Sequence, residues 1–348
     1  MRVSIRSIAV APMFALLSLA AAAPLSTGAA ADPVADFYKG KTVDMYVGFT
    51  VGGGYDLYAR LVARHIGRHI PGNPTVVVKN MTGAGSVRLA NFLYASAPKD
   101  GTVIGAFARG VPFDPLLGNP GPQFEDGSKF SFVGSANAES SVCAAWKGTG
   151  FKTFEDMKTR EMVTGGINAS NESDQHPKVL NAVLGTKIKL VTGYPGGNDI
   201  TLAMERGEVQ ARCGWSWSSV KSSHSNWLKD GTLVVLIQNG LEKHEDMPNV
   251  PLIMDLAKGE EEKQMLRLVF GPQKMGRPFA APPGIPADRL AALRKAFDAV
   301  MKDPALLAEA EKAQLEITPI SGQEMESLVQ AAYKTPPEIA RRVGAMLK

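Results

Sequence analysis

Cysteine is nearly absent. Two residues in 348 cannot staple a small scaffold, so folding rests on apolar cores, enough for one large or two ordinary domains. Lysine and arginine form no run and the formal net charge is only +4. That excludes the clustered basic surface a phosphate backbone requires, so nucleic acid is not an expected partner. Beyond the N-terminus no apolar stretch approaches the ~18 residues of a membrane span. Signatures of catalysis are missing as well. The turn at Gly52 is not G-x-G-x-x-G, because Leu57 stands at the third glycine position. Neither G-x-x-x-x-G-K-[ST], H-E-x-x-H nor G-x-S-x-G occurs. His65 and His69 lie one helical turn apart without a nearby third ligand and read as a solvated helix face, while His176, His224 and His244 are scattered. The expectation is a non-enzyme that uses no metal and no cofactor.

What is present begins with a legible N-terminus. Arg2 and Arg6 precede an apolar stretch, Ile8 to Leu25, broken by Pro12 and Pro24, and Ala29 and Ala31 supply an A-x-A site. Residues 1–31 read as a secretory signal cleaved before Asp32, so the mature chain is expected to be secreted. No cysteine stands near the cleavage point, so a lipid anchor is excluded. In an oxidising compartment Cys143 and Cys213, each in a short strand-like run (SVCAAW, VQARCGW), are expected to pair; two buried free thiols are the other reading.

From Asp32 onward strands and helices alternate. Thr42 to Phe49 reads as a strand and Asp56 to Ile70 as an amphipathic helix with Leu57, Leu61, Val62, His65 and Ile66 on one face. TVVVK (75–79) reads as a strand buried on both sides, and NMTGAGS (80–86) as a second glycine-bearing turn into a helix. A second α/β unit follows Phe130–Trp146, with Thr153 as the cap of a short helix, and the tail carries helices at 287–302, 304–313 and 322–334. The expected fold is α/β and two-lobed, with lobe 1 discontinuous (32–135 plus 238–348), lobe 2 at 136–237 and a cleft between them.

Loops that follow strands face such a cleft. The first is Phe49, Thr50, Val51, Gly52, Gly53, with Asp56 near the helix start; bare backbone at a helix N-terminus suits an anion, and an ordinary tight turn is the alternative. The second is Ser170, Asn171 and Ser173, which either donate to a carboxylate or cap a helix. The third is the turn from Tyr194 to Gly196. Arg109, after the strand TVIGAF, is either a bidentate carboxylate partner or an ion pair. Trp215 and Trp217 either pack between lobes or cover a flat ligand.

Four segments together resemble one family. GFTVGGGYDLYARLVARHI, VVVKNMTGAGSVRLANFLYASAPKDGTVIG, KLVTGYPGGNDITLAMERGEVQ and FAAPPGIPADRLAALRKAFDAVMKDPALLAEAEKAQLEITP are similar, in order, to segments of the tripartite tricarboxylate transporter receptors, the Bug-type periplasmic solute-binding proteins. The likeness runs from about residue 40 to 335. It implies a type II periplasmic-binding fold that closes on a small organic carboxylate, a di- or tricarboxylate or an aromatic acid, and delivers it to transmembrane permease subunits, the receptor itself being a monomer. A sensor subunit and, less in keeping with the motifs, a hydrolase are the alternatives. It also implies that main-chain amides of the first glycine loop and Ser/Thr groups of the second lobe meet the carboxylate. Gly48 and Val51 stand where the family has prolines, and Gly214–Trp215 replaces an Asp-Asn; Arg109 and the tryptophans lie outside the general pattern.

Overall fold

The computed structural model describes residues 32–348 together with Met1, Val3, Ser4 and Ala9; the signal segment otherwise lies outside the described residues. Within Pro33–Lys348 the strands are β1 (Thr42–Val47), β2 (Thr75–Asn80), β3 (Val103–Ala106), β4 (Ser131–Ser135), β5 (Ser141–Trp146), β6 (Met162–Gly165), β7 (Ile188–Val191), β8 (Ala211–Ser216), β9 (Leu233–Asn239), β10 (Pro278–Ala281) and β11 (Ile320–Ser321). They form two mixed sheets, in the orders β11-β4-β10-β3-β1-β2 and β7-β6-β8-β5-β9. The chain passes from the first sheet to the second between β4 and β5, and returns after β9. The architecture is α/β and two-lobed.

The longer helices are α1 (Gly54–Ile66), α2 (Val87–Ala95), α3 (Glu172–Leu184), α4 (Gly197–Glu205), α5 (Trp217–Lys229), α6 (Glu260–Phe270), α7 (Ala287–Val300), α8 (Pro304–Lys312), α9 (Gly322–Tyr333) and α10 (Pro337–Met346). In α1, Leu61, Val62 and Ile66 are buried with Tyr58 and Ala59, as the spacing predicts. Three expectations change. TVVVK is an edge strand, paired only with β1 and largely exposed; β-branched content marks a strand but does not reveal its neighbours. His65 is buried and His69 half-buried, each against a carboxylate. His65 Nε2 meets Glu309 of α8 at 2.7 Å, and His69 Nε2 meets Asp303 at 2.7 Å, because α8 lies along that face of α1. Thr153 is not the cap of its helix, which spans Asp156–Thr159; instead the Asp156 carboxylate accepts from the N–H groups of Lys152 and Thr153.

Cys143 and Cys213 are joined as a disulfide across β5 and β8, which pair antiparallel with an irregularity between Val142 and Ala144.

Asp114, fully buried, accepts from Asn119 Nδ2 at 2.7 Å. Burial pushes its carboxyl up to about 7, with the Glu172 charge adding to the effect. The folded pKa lies above the unfolded one, so near neutrality the native state holds a proton the unfolded chain has lost. Stability therefore falls as pH rises through 7. Raising the pH from about 6 to about 8 is expected to remove about 1.4 kcal/mol by this route, and Asp114→Asn to abolish that slope in denaturant melts; an unchanged slope would assign the pH dependence to another group.

Candidate functional site

A cavity opens between the sheets. Its walls are the loop Phe49–Tyr55, the start of α3, the first turn of α4, the end of β8, the start of α5, and Arg277. It offers about 60 Å³ to the centres of water-sized spheres. One water needs roughly 10–15 Å³ on that measure, so the guest is small.

Two helix N-termini point at this space. Gly53 is the N-cap of α1 and Gly196 that of α4, both extended and without a side-chain cap. The N–H groups of Gly54 and Tyr55, and of Gly197 and Asn198, have no partner among the described residues. Each start carries about half a positive charge. The two starts are close neighbours: a Cβ on Gly196 would stand 2.7 Å from Thr50 Oγ1.

Guanidinium groups reinforce that field. Arg212 of β8 lies against the first turn of α4, its Nη1 donating to the Gly197 carbonyl at 3.1 Å and its plane 4.8 Å from the Trp215 ring centre. Its Nε is buried without a hydrogen-bond partner, and none of the ion pairs among the described residues includes it. Burial, then the Arg277 charge, pushes Arg212 down to about 9, so it remains a cation at neutral pH. Arg277, 1% exposed, stands beside α1. It lies 3.3 Å from Glu139, donates to Ser216, Ser218 and Ser219, and sits over the Tyr55 and Tyr58 rings at 4.9 and 5.1 Å. These arginines give the glycines their reason. A Cβ on Gly197 would collide with the Arg212 guanidinium, and one on Gly54 with Ser219 and, at 2.9 Å, with Arg277 Nη2. Gly214, at φ +63°, lets β8 touch the Glu172 carbonyl.

His224 completes the wall beside Trp215. It interrupts the helical backbone of α5 (φ −136°, ψ 27°), stacks on Trp227 at 4.1 Å, and is pushed down to about 4 by burial and by Arg212, so it is neutral at pH 7.

Of the residues nominated from sequence, Phe49, Thr50, Gly53, Asn171 and Trp215 line the cavity. The others have different surroundings. Val51 points to solvent at 66% exposure. The N–H of Gly52 is already taken by Asp56 Oδ2 at 2.9 Å, so it is not free for a ligand. Asp56 is buried under its own helix; although burial raises its pKa, hydrogen bonds from Arg60, Gly52 and Asn80 hold it below the usual value. Ser173 Oγ accepts from Ile167 N–H and donates to Asn171, the N-cap of α3, and Ser170 is buried beside them. Tyr194 and Gly196 lie outside the cavity wall. Arg109 is buried behind it, 3.1 Å from Glu172 and donating to Ser141, Ser216 and the Gly276 carbonyl. Trp217 donates to Asp246 at 2.8 Å. The NMTGAGS turn does not line the cavity; Gly85 packs on Asn168 instead.

Sequence reasoning missed Arg212, Arg277, Glu172, Ser219 and His224. One signal was available: a lone arginine inside the apolar run VQARCGW is a charge in a buried strand, which needs a partner.

No protein-family model matches the sequence, and no curated protein matches it. Solved structures do match the fold. The periplasmic binding protein BugD superposes with a TM-score of 0.70 at 18% identity, covering 88% of this chain and 99% of that one. MatC from Rhodopseudomonas palustris, solved with bound malate, gives 0.68 at 17% identity over 88% and 99%. An R. palustris protein with adipate gives 0.67 at 17% identity over 87% and 97%. The fold is thus that of Bug- and TctC-type periplasmic binding proteins.

Proposed function

We propose that the protein is a periplasmic solute-binding receptor that captures a small organic carboxylate and presents it to the permease subunits of a tripartite tricarboxylate-type transporter. One observation carries the reading: Arg212, a cation without a carboxylate partner among the described residues, stands where two helix starts converge on a small cavity. A positive group beside a positive helix end is unfavourable until an anion joins them. The malate and adipate held by two proteins of the same fold support this chemistry. Lobes at 32–135 plus 238–348 and at 136–237 would close over the acid, and the closed form would be recognised at the membrane. Closure follows only if the ligand binds that form better than the open one.

A thermal-shift screen of organic acids tests the reading. Ligand at a hundredfold excess over its Kd is expected to stabilise the protein by about 2.7 kcal/mol, and mass spectrometry of the purified protein should find a co-purifying acid. Flat melting curves for every acid, on protein shown to be ligand-free, would remove the proposal.

A further inference from the structure

The cleft is charged unevenly, and the imbalance fixes what it selects. Three arginines surround it. Arg109 is answered by Glu172 at 3.1 Å and Arg277 by Glu139 at 3.3 Å, whereas Arg212 makes no ion pair among the described residues, and the burial and the Arg277 charge that act on it are only partly offset by the Glu172 charge. The formal charge of the five groups is therefore one positive unit. Glu172 itself lines the cavity, and its Oε1 has no hydrogen-bond donor. A first carboxylate finds Arg212 and the N–H groups of Gly197, Asn198, Gly54 and Tyr55. A second carboxylate in the same small space finds no unpaired cation and meets the Glu172 carboxylate. At 4 Å, like charges near a protein surface repel by several kcal/mol.

We infer that Arg212 makes this cleft selective for small acids with a single negative charge, the carboxylate lying against its guanidinium and shared between the first turns of α4 and α1, with Trp215 and His224 covering the uncharged part. This rests on the receptor reading above and narrows its substrate class to monocarboxylates.

Calorimetric titration separates the two claims. The monoanions lactate, succinamate and benzoate are set against succinate, malate and citrate at pH 7.5, with succinamate and succinate matched in size. The inference expects the tightest ligand to be a monoanion, and at least a tenfold advantage over the polyanions. If the tightest ligand is a polyanion, the charge rule is wrong and the carboxylate receptor stands. If none of the six binds to ligand-free protein, both fail. Arg212→Gln and Arg212→Lys locate the effect. For the best monoanion and its neutral amide, the wild-type preference for the acid should collapse in Arg212→Gln and be partly kept in Arg212→Lys. The melting temperature of ligand-free Arg212→Gln should not fall, because an uncompensated charge has been removed. An undiminished acid-to-amide ratio in that variant overturns the assignment to Arg212, and so does a large drop in its melting temperature.

Discussion

Replacing Arg109 by methionine is expected to cost about 3–5 kcal/mol of folding stability, the range for removing one partner of a buried ion pair. The side chain is 1% exposed, and Glu172 opposite it is 7% exposed. Burial opposes the charge of Arg109, but Glu172, Tyr55 and Glu139 together more than offset it and the pKa is raised. Truncation strands that carboxylate in the interior and removes the donors now used by Ser141, Ser216 and the Gly276 carbonyl. Those acceptors come from β5, from β8 and from the segment before β10, so the loss falls on the joint between the two sheets. Chemical denaturation would read it as a lowered midpoint. The double variant Arg109→Met/Glu172→Gln should lose less than the sum of the single changes, because it leaves no unpaired charge. A variant of normal stability that has lost ligand affinity would put Arg109 in the ligand's coordination instead.

Opening the Cys143–Cys213 bridge is the second large effect. The bond closes a loop of 70 residues, for which the chain-entropy relation gives about 4 kcal/mol. That loop contains β6, α3, β7, α4 and the start of β8, most of the second sheet's unit. Reduction, or the change of both cysteines to alanine, should lower the melting temperature. It should also weaken ligand binding, because Cys213 sits between Arg212 and the Gly214–Trp215 segment that line the cleft. Stability and affinity should therefore fall together. A melting curve indifferent to reductant, with a mass showing two free thiols beforehand, would contradict the bridge.

How far each feature was legible depended on the range of the interaction behind it. The alternation of strand and helix is visible because a two- or 3.6-residue period needs only local residues. The glycine turn before α1 is visible for the same reason. What approaches that glycine was not visible: Gly54 meets Arg277, more than two hundred positions away in the chain. His65 of α1 and His69 just beyond it read as solvated from sequence because α8 and its N-cap Asp303, which cover them, are remote in the chain. TVVVK reads as an interior strand because β-branching reports strand preference, whereas edge position depends on the order in which strands pair. Helices α5, α6 and α10 escaped notice for different reasons. In α5 Ser and Lys dilute the apolar period and tertiary packing holds a short buried face; α6 and α10 do carry a helical period, with Met265, Leu266 and Val269 buried in one and Ala340 and Val343 in the other, but neither start has a side-chain cap to mark it.

The amino-acid order alone determined the fold class, the absence of recognisable catalytic motifs and the presence of bare backbone at helix starts, because periodicity, motif spacing and glycine's missing Cβ are properties of neighbouring residues. Tertiary structure alone decided which cations are neutralised. Arg109 and Arg212 are equivalent as letters; one is folded against Glu172 and the other is left facing a cavity. That difference arises because the energy of a buried charge depends on the groups brought within a few ångströms of it, and those come from distant parts of the chain.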